Sequence, residues 1–207
     1  CHQDILLEQD GREQLDGVLA DMDRRDPAWA VCGNSGGISP GRLAIRITDP
    51  HGADQRTEDF PARVYSLDEN FMVVKASANL GLSRDMSGFH LYGTDICIQA
   101  DLLGCNCYVI DFHLRHHSPG VRDASLEKSR KALVDKYARA FRMRWITAPC
   151  EIVFLSGFKA LSRPLSARPF TRLLDRFGKR FPGLMSRLCR RPRRGGARAL
   201  ETERAHG

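Results

Sequence analysis

Two groups of side chains in the middle of the chain have the types that acid–base or metal chemistry requires. Asp95 stands in the first turn of a helix predicted over residues 94–103. After a glycine turn, a strand predicted over residues 108–114 leads to His116 and His117. Open α/β folds bind their ligands at one rim of the sheet, so we expect the acid and an imidazole to lie there together.

A third group lies at the start of the chain. His2 and Asp4 immediately precede the apolar residues 5–7, which end a predicted buried strand. Carboxylate and imidazole are both good ligands for a divalent ion such as manganese. Because side chains alternate along a strand, His116 and His117 point to different sides. The two side chains therefore cannot both face one ligand, and of the two we favour His116.

Three short motifs resemble the C-terminal half of the catalytic domain of family 2 glycosyltransferases, which have the GT-A fold. These are Phe-His-x-Tyr-x-x-Asp-x-Cys at residues 89–97, His-His-Ser at 116–118 and His-Gln-Asp at 2–4. These motif sequences are similar to those of an uncharacterised bacterial branch of the family. The resemblance covers roughly residues 1–145. It implies an α/β fold, a GT-A-like mixed sheet flanked by helices. It also implies that the nucleotide-binding half precedes Cys1.

The resemblance implies an inverting transfer of a sugar from a nucleotide-sugar donor to a polysaccharide or lipid-linked acceptor, in bacterial surface polysaccharide assembly. A divalent metal, Mn²⁺ or Mg²⁺, would assist by neutralising the diphosphate leaving group. The resemblance places this metal on Asp4, with His2 at the first acidic position of the motif. His116 or His117 would complete the site.

The resemblance also bears on the base that activates the acceptor hydroxyl. The usual base position falls on Gly93, and Asp95 falls on the second acid of the motif. Either Asp95 acts as the base, or it holds the helix start while His90 acts. Asp68 and Glu69 interrupt two short predicted strands where the family exposes acceptor-side residues, although a plain turn is the alternative reading.

Composition divides the chain into an acidic part and a basic part. The 207 residues are 42% hydrophobic and 28% charged, which is typical of a soluble globular protein. Residues 151–207 contain 14 Lys/Arg against 4 Asp/Glu, a net charge of +10, whereas residues 1–150 carry −3. We therefore predict a glycosyltransferase-like domain over 1–147, a basic amphipathic helical extension over 148–188 and a disordered basic tail over 189–207.

The basic extension predicts a location. Aromatic and leucine residues alternate with Lys/Arg over residues 151–188, a pattern typical of peripheral contact with an anionic membrane. No apolar run of 18 residues could span a bilayer. The seven cysteines include no Cys-x-x-Cys pair, so we expect no structural zinc and a cytoplasmic protein. The basic extension would allow peripheral contact with the inner face of the cytoplasmic membrane. Residues 1–150 contain no nucleic-acid-binding motif, and no nucleic-acid partner is expected.

The periodicity of apolar residues predicts the remaining elements. Residues 8–25 and 125–145 read as amphipathic helices, the second with a buried stripe that ends at Trp145. Residues 34–41 and 53–61 read as loops because they are rich in glycine or polar residues. Residues 151–188 are predicted to form short helical pieces.

Two other function classes fit some of these residues. A metal-dependent hydrolase would draw its ligands from His2, Asp4, His90, Asp95, His113, His116 and His117. No His-Glu-x-x-His spacing supports that reading. A non-catalytic module would use the basic tail to dock on a membrane or on nucleic acid.

Overall fold

The computed structural model describes residues 1–86, 88–118 and 123–189, and its fold is mixed α/β. Two compact units divide the chain, Cys1–Lys136 and Tyr137–Gly207. The predicted disordered tail lies, apart from Cys189, outside the described residues.

The strands within the described residues are β1 (Ile5–Leu6), β2 (Trp29–Gly33), β3 (Ser35–Ser39), β4 (Arg42–Asp49), β5 (Gly52–Arg56), β6 (Ala62–Val64), β7 (Ser66–Leu67), β8 (Met72–Val74), β9 (Asn106–Val109), β10 (Leu114–His116), β11 (Arg144–Thr147) and β12 (Ile152–Leu155). The helices in the same residues are α1 (Arg12–Arg25), α2 (Tyr92–Leu102), α3 (Ala124–Ala140), α4 (Lys159–Leu165), α5 (Arg168–Arg180) and α6 (Pro182–Cys189).

The first unit contains two sheets. One has the strand order β1-β10-β4-β3-β7, with β5 paired to β4, and the other has the order β6-β9-β2-β8. Both are mixed, because β2 and β9 run parallel, as do β4 and β10, while the other pairs are antiparallel. Strand β2 is buried along its whole length, which explains its continuous apolar run.

Two helices cover the second sheet. The apolar side chains of α1, among them Val18 and Leu19, pack against a cluster that includes Trp29 and Phe112. Ile96 of α2 belongs to a separate core cluster with residues of β2 and β9. The predicted first helix is confirmed, although it begins at Arg12 rather than at residue 8.

Two predicted loops are strands. Residues 35–39 form β3, and their glycines serve close packing: a Cβ on Gly36 would lie 2.4 Å from the Ser66 carbonyl oxygen. Within the predicted loop 53–61, residues up to Arg56 belong to β5. Strand β5 pairs only with β4 among the described strands, and this edge position allows its polar composition.

The strand predicted over residues 108–114 is two strands in different sheets. Strand β9 ends at Val109, and β10 begins at Leu114 after the chain has moved to the other sheet. The intervening Ile110 and Phe112 are almost wholly buried. Because burial continues through the crossing, the apolar run gives no sign of the break.

Helix α2 confirms the predicted helix but starts two residues earlier. Its N-cap is Leu91, which has a left-handed φ of 65°. A left-handed backbone is uncommon for a leucine and is found most often where the surrounding structure imposes it.

The second unit differs from the predicted helical extension. Helix α3 ends at Ala140, so Trp145 lies in β11, where it is the cross-strand partner of Phe154 in β12. The predicted helical stripe therefore stops before Trp145, and the predicted helical pieces begin only after β12. Within the described residues, no helix is both long enough and apolar enough to cross a membrane.

Candidate functional site

Three of the predicted metal ligands lie together in the first unit. His2, Asp4 and His116 each offer one ligand atom, and these atoms lie within 4.8 Å of one another. The His116 Nε2 atom is 3.3 Å from Asp4 Oδ2, and the His2 Nδ1 atom is 3.8 Å from Asp4 Oδ1. The spacing is short enough for one cation to reach all three side chains.

Backbone pairing holds these residues in place. Strand β1 runs antiparallel to β10, with Ile5 opposite His116. The amide of His117 donates to the Asp4 carbonyl at 3.0 Å, and the amide of His2 donates to the Asn70 carbonyl at 2.8 Å. The histidine that ends β10 is thereby brought beside the acid that precedes β1.

The charge and bonding of the group suit a divalent ion. A hydrogen bond from Ser118, with the nearby His116 and His2, holds the pKa of Asp4 below its usual value, although partial burial opposes this. Within the described part of the chain, His2 Nε2 and Asp4 Oδ1 are buried atoms without a hydrogen-bond partner. An ionised carboxylate beside imidazole nitrogens, with ligand capacity left over, is a donor set for a first-row divalent ion such as Mn²⁺, whereas Mg²⁺ prefers oxygen ligands.

An open cleft of about 640 Å³ connects this group to further polar side chains. Its lining includes His2, Asp4 and His116 together with Asp68, Glu69 and His90. The structure therefore gathers three of the four predicted metal ligands, the predicted acceptor-side acids and the alternative base along one surface of the first unit.

Glu69 stands out among the cleft residues. Its Oε1 accepts a hydrogen bond of 2.9 Å from the amide of Gly93 at the start of α2. Burial raises the pKa of Glu69 to about 7, and neighbouring Asp68 adds to the rise, although backbone hydrogen bonds oppose it. A carboxyl group with this pKa can exchange protons near neutral pH.

Gly93 explains how Glu69 reaches this position. A Cβ on residue 93 would lie 2.4 Å from the Leu67 carbonyl oxygen and 3.2 Å from Glu69 Oε1. The Glu69 carboxylate thus occupies the space beside residue 93. Glycine at this position makes room for a carboxylate that comes from another element.

Asp95 lies elsewhere. It is 1% exposed, with Oδ1 at 2.6 Å from the Lys136 ammonium and Oδ2 accepting a 2.8 Å hydrogen bond from Gln99. It is not among the described residues that line the cleft. Its surroundings are those of a buried ion-pair partner, whereas a base must reach its substrate.

Two other histidines also lie outside the cluster. His117 is exposed and is not among the described residues lining the cleft. His113 is buried, with Nε2 at 2.9 Å from the Thr48 hydroxyl. The seven ligands considered for a hydrolase are therefore not gathered in one place.

The sequence pointed to Glu69 only as an acceptor-side residue. Its link to α2 joins residues 24 positions apart in the chain, which no local pattern reveals. The one available signal was Gly93, a glycine at the position where the resemblance expects a base.

Comparison with known proteins adds a relative without a stated activity. No protein-family model matches the chain. A Fuscovulum blasticum protein named "ATP synthase subunits region ORF 6" is 36% identical over 165 residues. The match covers 76% of this chain and 66% of that relative, so the chain spans just under two thirds of the relative's length.

Proposed function

We propose that this chain forms the metal-binding and acceptor-activating part of an inverting glycosyltransferase that uses a nucleotide-sugar donor. The observation that carries the proposal is that a cation-binding group, His2, Asp4 and His116, shares one open cleft with Glu69. The sequence resemblance to family 2 glycosyltransferases with the GT-A fold supports the same reaction.

In this proposal Asp4, His2 and His116 hold the divalent metal. When bound, the ion supplies positive charge that stabilises the diphosphate as it leaves the sugar. The low pKa of Asp4 keeps its carboxylate ionised at neutral pH, ready to act as a ligand. The pairing of β1 with β10, where it is formed, sets the spacing of Asp4 and His116.

Glu69 is the proposed base, in place of Asp95. As the acceptor oxygen forms its bond to the anomeric carbon, the hydroxyl proton passes to the Glu69 carboxylate, and the sugar–diphosphate bond breaks. The Gly93 amide holds Oε1 and thereby orients the carboxylate. Asp95 instead anchors α2, whose first turn supplies that amide.

The acceptor side of the cleft is assigned to Asp68, His90 and Phe89. The Phe89 ring is 71% exposed and borders the cleft, so a sugar ring can pack on its face. Asp68 is also exposed there and can accept hydrogen bonds from sugar hydroxyls. The acceptor is proposed to be a glycan or a lipid-linked glycan.

Manganese binding tests the metal part of the proposal. Calorimetric titration of the chain with Mn²⁺ should show one binding site, and Asp4→Asn should lower the Mn²⁺ affinity of that site by at least about 10-fold. Asp16→Asn removes an exposed acid of α1 and is the matched control. Equal Mn²⁺ affinity of Asp4→Asn and the unchanged protein would contradict the assignment.

Product analysis tests the reaction. The full-length protein that carries this chain is incubated with nucleotide sugars and glycan acceptors, with Mn²⁺ present. We expect sugar on the acceptor, and this transfer should be lost in Asp4→Asn. Release of free sugar at the same rate with and without acceptor would instead identify a hydrolase.

A further inference from the structure

Helix α5 in the second unit carries two parallel rows of side chains with opposite character. Leu173, Phe177 and the C-cap residue Phe181 follow one another at intervals of four residues, and all three are exposed, by 63%, 38% and 48%. Arg172, Arg176 and Arg180 form the neighbouring row, displaced by one residue, and are also exposed. One residue is about 100° of helix rotation, so the arginines flank the apolar row.

Residues on one side of α5 pack within the unit. Phe170 stacks against Trp145 with ring centroids 6.2 Å apart, and Thr171 is buried. The arginine row lies on the opposite side of the helix, and the apolar row borders the packing side, because Phe177 is almost two full turns from Phe170. In the following helix, α6, Leu184 is also exposed, by 49%.

Charge restricts what can cover this face. The described residues of the second unit contain 11 Lys/Arg and 2 Asp/Glu, a net charge of +9. A second copy of the same face would bring like charges together. Residues 190–207 contain six arginines and a single leucine, so they too are repelled and offer little apolar surface. The partner must be negatively charged and must also accept apolar side chains.

We propose that α5 and α6 bind the surface of an anionic lipid bilayer. Leu173, Phe177 and Phe181 enter the boundary between headgroups and acyl chains, while Arg172, Arg176 and Arg180 bind lipid phosphates along the flank. A nucleic-acid duplex would satisfy the arginines but leave the apolar row in water, and single-stranded bases could stack on the phenylalanines but not on Leu173, whereas a bilayer satisfies both rows. This inference goes beyond the proposed glycosyl transfer and does not depend on it.

The geometry suits a helix lying in the plane of the interface. The 13 residues of α5 make a rod about 20 Å long, parallel to the surface. The Phe177 and Phe181 rings are 5.1 Å apart and can insert as one unit. The Arg180 guanidinium lies over the Phe181 ring at 5.7 Å, which keeps the charge next to the inserting ring.

Vesicle sedimentation with the full chain tests the proposal. Vesicles of phosphatidylcholine with roughly 30 mol % phosphatidylglycerol should bind the protein at low salt, and vesicles of phosphatidylcholine alone should bind it much more weakly. Raising the salt to about 0.5 M should release most of the protein from anionic vesicles. Equal binding to both vesicle types would overturn the proposal.

Paired variants separate the two rows. Arg176→Gln with Arg180→Gln should weaken binding about 25-fold, because each basic residue at an anionic surface contributes roughly fivefold. Arg24→Gln with Arg25→Gln removes the same charge from α1, where both arginines pair with Asp21. This control should change binding by less than about twofold. Equal losses from both pairs would mean that only net charge matters.

The apolar row has its own control. Leu173→Ser with Phe177→Ser should weaken vesicle binding by about 10-fold or more, because the inserted surface is lost. Leu102→Ser with Leu103→Ser changes two exposed leucines in the first unit and should have little effect. Normal vesicle binding by the Leu173/Phe177 variant would show that the face recognises polyanions and not a bilayer. The same conclusion would follow if this variant bound a single-stranded RNA as tightly as the unchanged protein binds vesicles. Circular dichroism confirms that each variant keeps its helices.

Discussion

The first unit uses charge in fixed pairs, whereas α5 of the second unit presents charge to solvent. In the cleft, Asp4 is held by Ser118 and two histidines, and Glu69 is held by the Gly93 amide. Along α5, the arginines of the exposed row flank apolar side chains. Charged groups held by hydrogen bonds can position a small ligand, while a row of solvent-exposed arginines can contact a broad surface. The two regions therefore suit different kinds of partner.

Two lysine–aspartate pairs show how much burial matters. Lys136 lies 2.6 Å from Asp95, and Lys179 lies 2.7 Å from Asp175. The distances are nearly equal, but the Asp95 side chain is 1% exposed and the Asp175 side chain 45%. Water screens the second pair far more than the first, so loss of one partner should have very different costs.

The largest effect is expected from Asp95→Ala. It leaves the mostly buried Lys136 ammonium without its closest carboxylate, although Asp85 remains at 3.2 Å. We expect the free energy of unfolding to fall by about 3 kcal/mol, measured by urea denaturation. Asp101→Ala, at an exposed position of the same helix, should change it by less than about 0.5 kcal/mol. Similar losses from the two variants would show that burial does not set the difference.

The next effect concerns the cleft. Glu69→Gln keeps the hydrogen-bond acceptor for Gly93 but removes the proton acceptor. In the full-length protein, transfer should slow by about 100-fold or more, while Mn²⁺ affinity stays unchanged. If a conservative Asp95→Asn change abolishes transfer in a folded protein and Glu69→Gln does not, the base is Asp95 after all.

The pH dependence of stability should also reveal Glu69. Its pKa is raised from 4.5 to about 7 in the folded protein. Between these values the folded state retains a proton that the unfolded state has lost, so stability falls as pH rises from about 4.5 through about 7. Urea denaturation across this range should show a smaller fall in Glu69→Gln. Parallel curves for the two proteins would contradict the raised pKa.

Gly93→Ala should have a moderate effect on the first unit. The new Cβ would collide with the Leu67 carbonyl and crowd Glu69, and we expect a loss of about 2 kcal/mol. Gly17→Ala in α1 is the control, since nothing lies within 4 Å of its Cβ position. That change should stabilise the protein by about 0.5–1 kcal/mol. Thermal unfolding of both variants gives the comparison, and a stable Gly93→Ala protein would show that the α2 start can move.

The smallest effect is expected on α5. Lys179→Ala removes the exposed pair with Asp175 and should reduce the free energy of unfolding by only about 0.3–0.5 kcal/mol. If Lys179→Ala lowered the free energy of unfolding as much as Asp95→Ala, burial would not distinguish the Lys179–Asp175 pair from the Lys136–Asp95 pair.

Local patterns predicted the elements that a single face of apolar residues defines. Helix α1, strand β2 and helix α2 follow from periodicity or from a continuous apolar run. Strand β3 was missed because its glycines, which normally indicate a loop, permit close contact with β7. The switch between β9 and β10 was missed because both sheets bury their residues, and burial alone cannot tell one sheet from another.

The candidate site was predictable where its residues have chemical types that stand out in the sequence. His2, Asp4 and His116 were selected by type and by resemblance, and the structure brings them together. Asp95 was selected in the same way, but its partner Lys136 is 41 residues away, and only tertiary packing makes it a buried pair. The placement of Glu69 beside Gly93 likewise depends on contacts that the sequence does not display.

Strand β1 pairs with β10 through only two residues, Ile5 and Leu6. A ligand that contacts both Asp4 and His116 can bind only those protein molecules in which β1 is paired with β10. Ligand binding and the ordering of the first residues are therefore thermodynamically linked, and the apparent affinity scales with the paired fraction. Saturating ligand should in turn protect the amides of this segment from hydrogen exchange, so that the cleft and the edge of its sheet respond as one cooperative element.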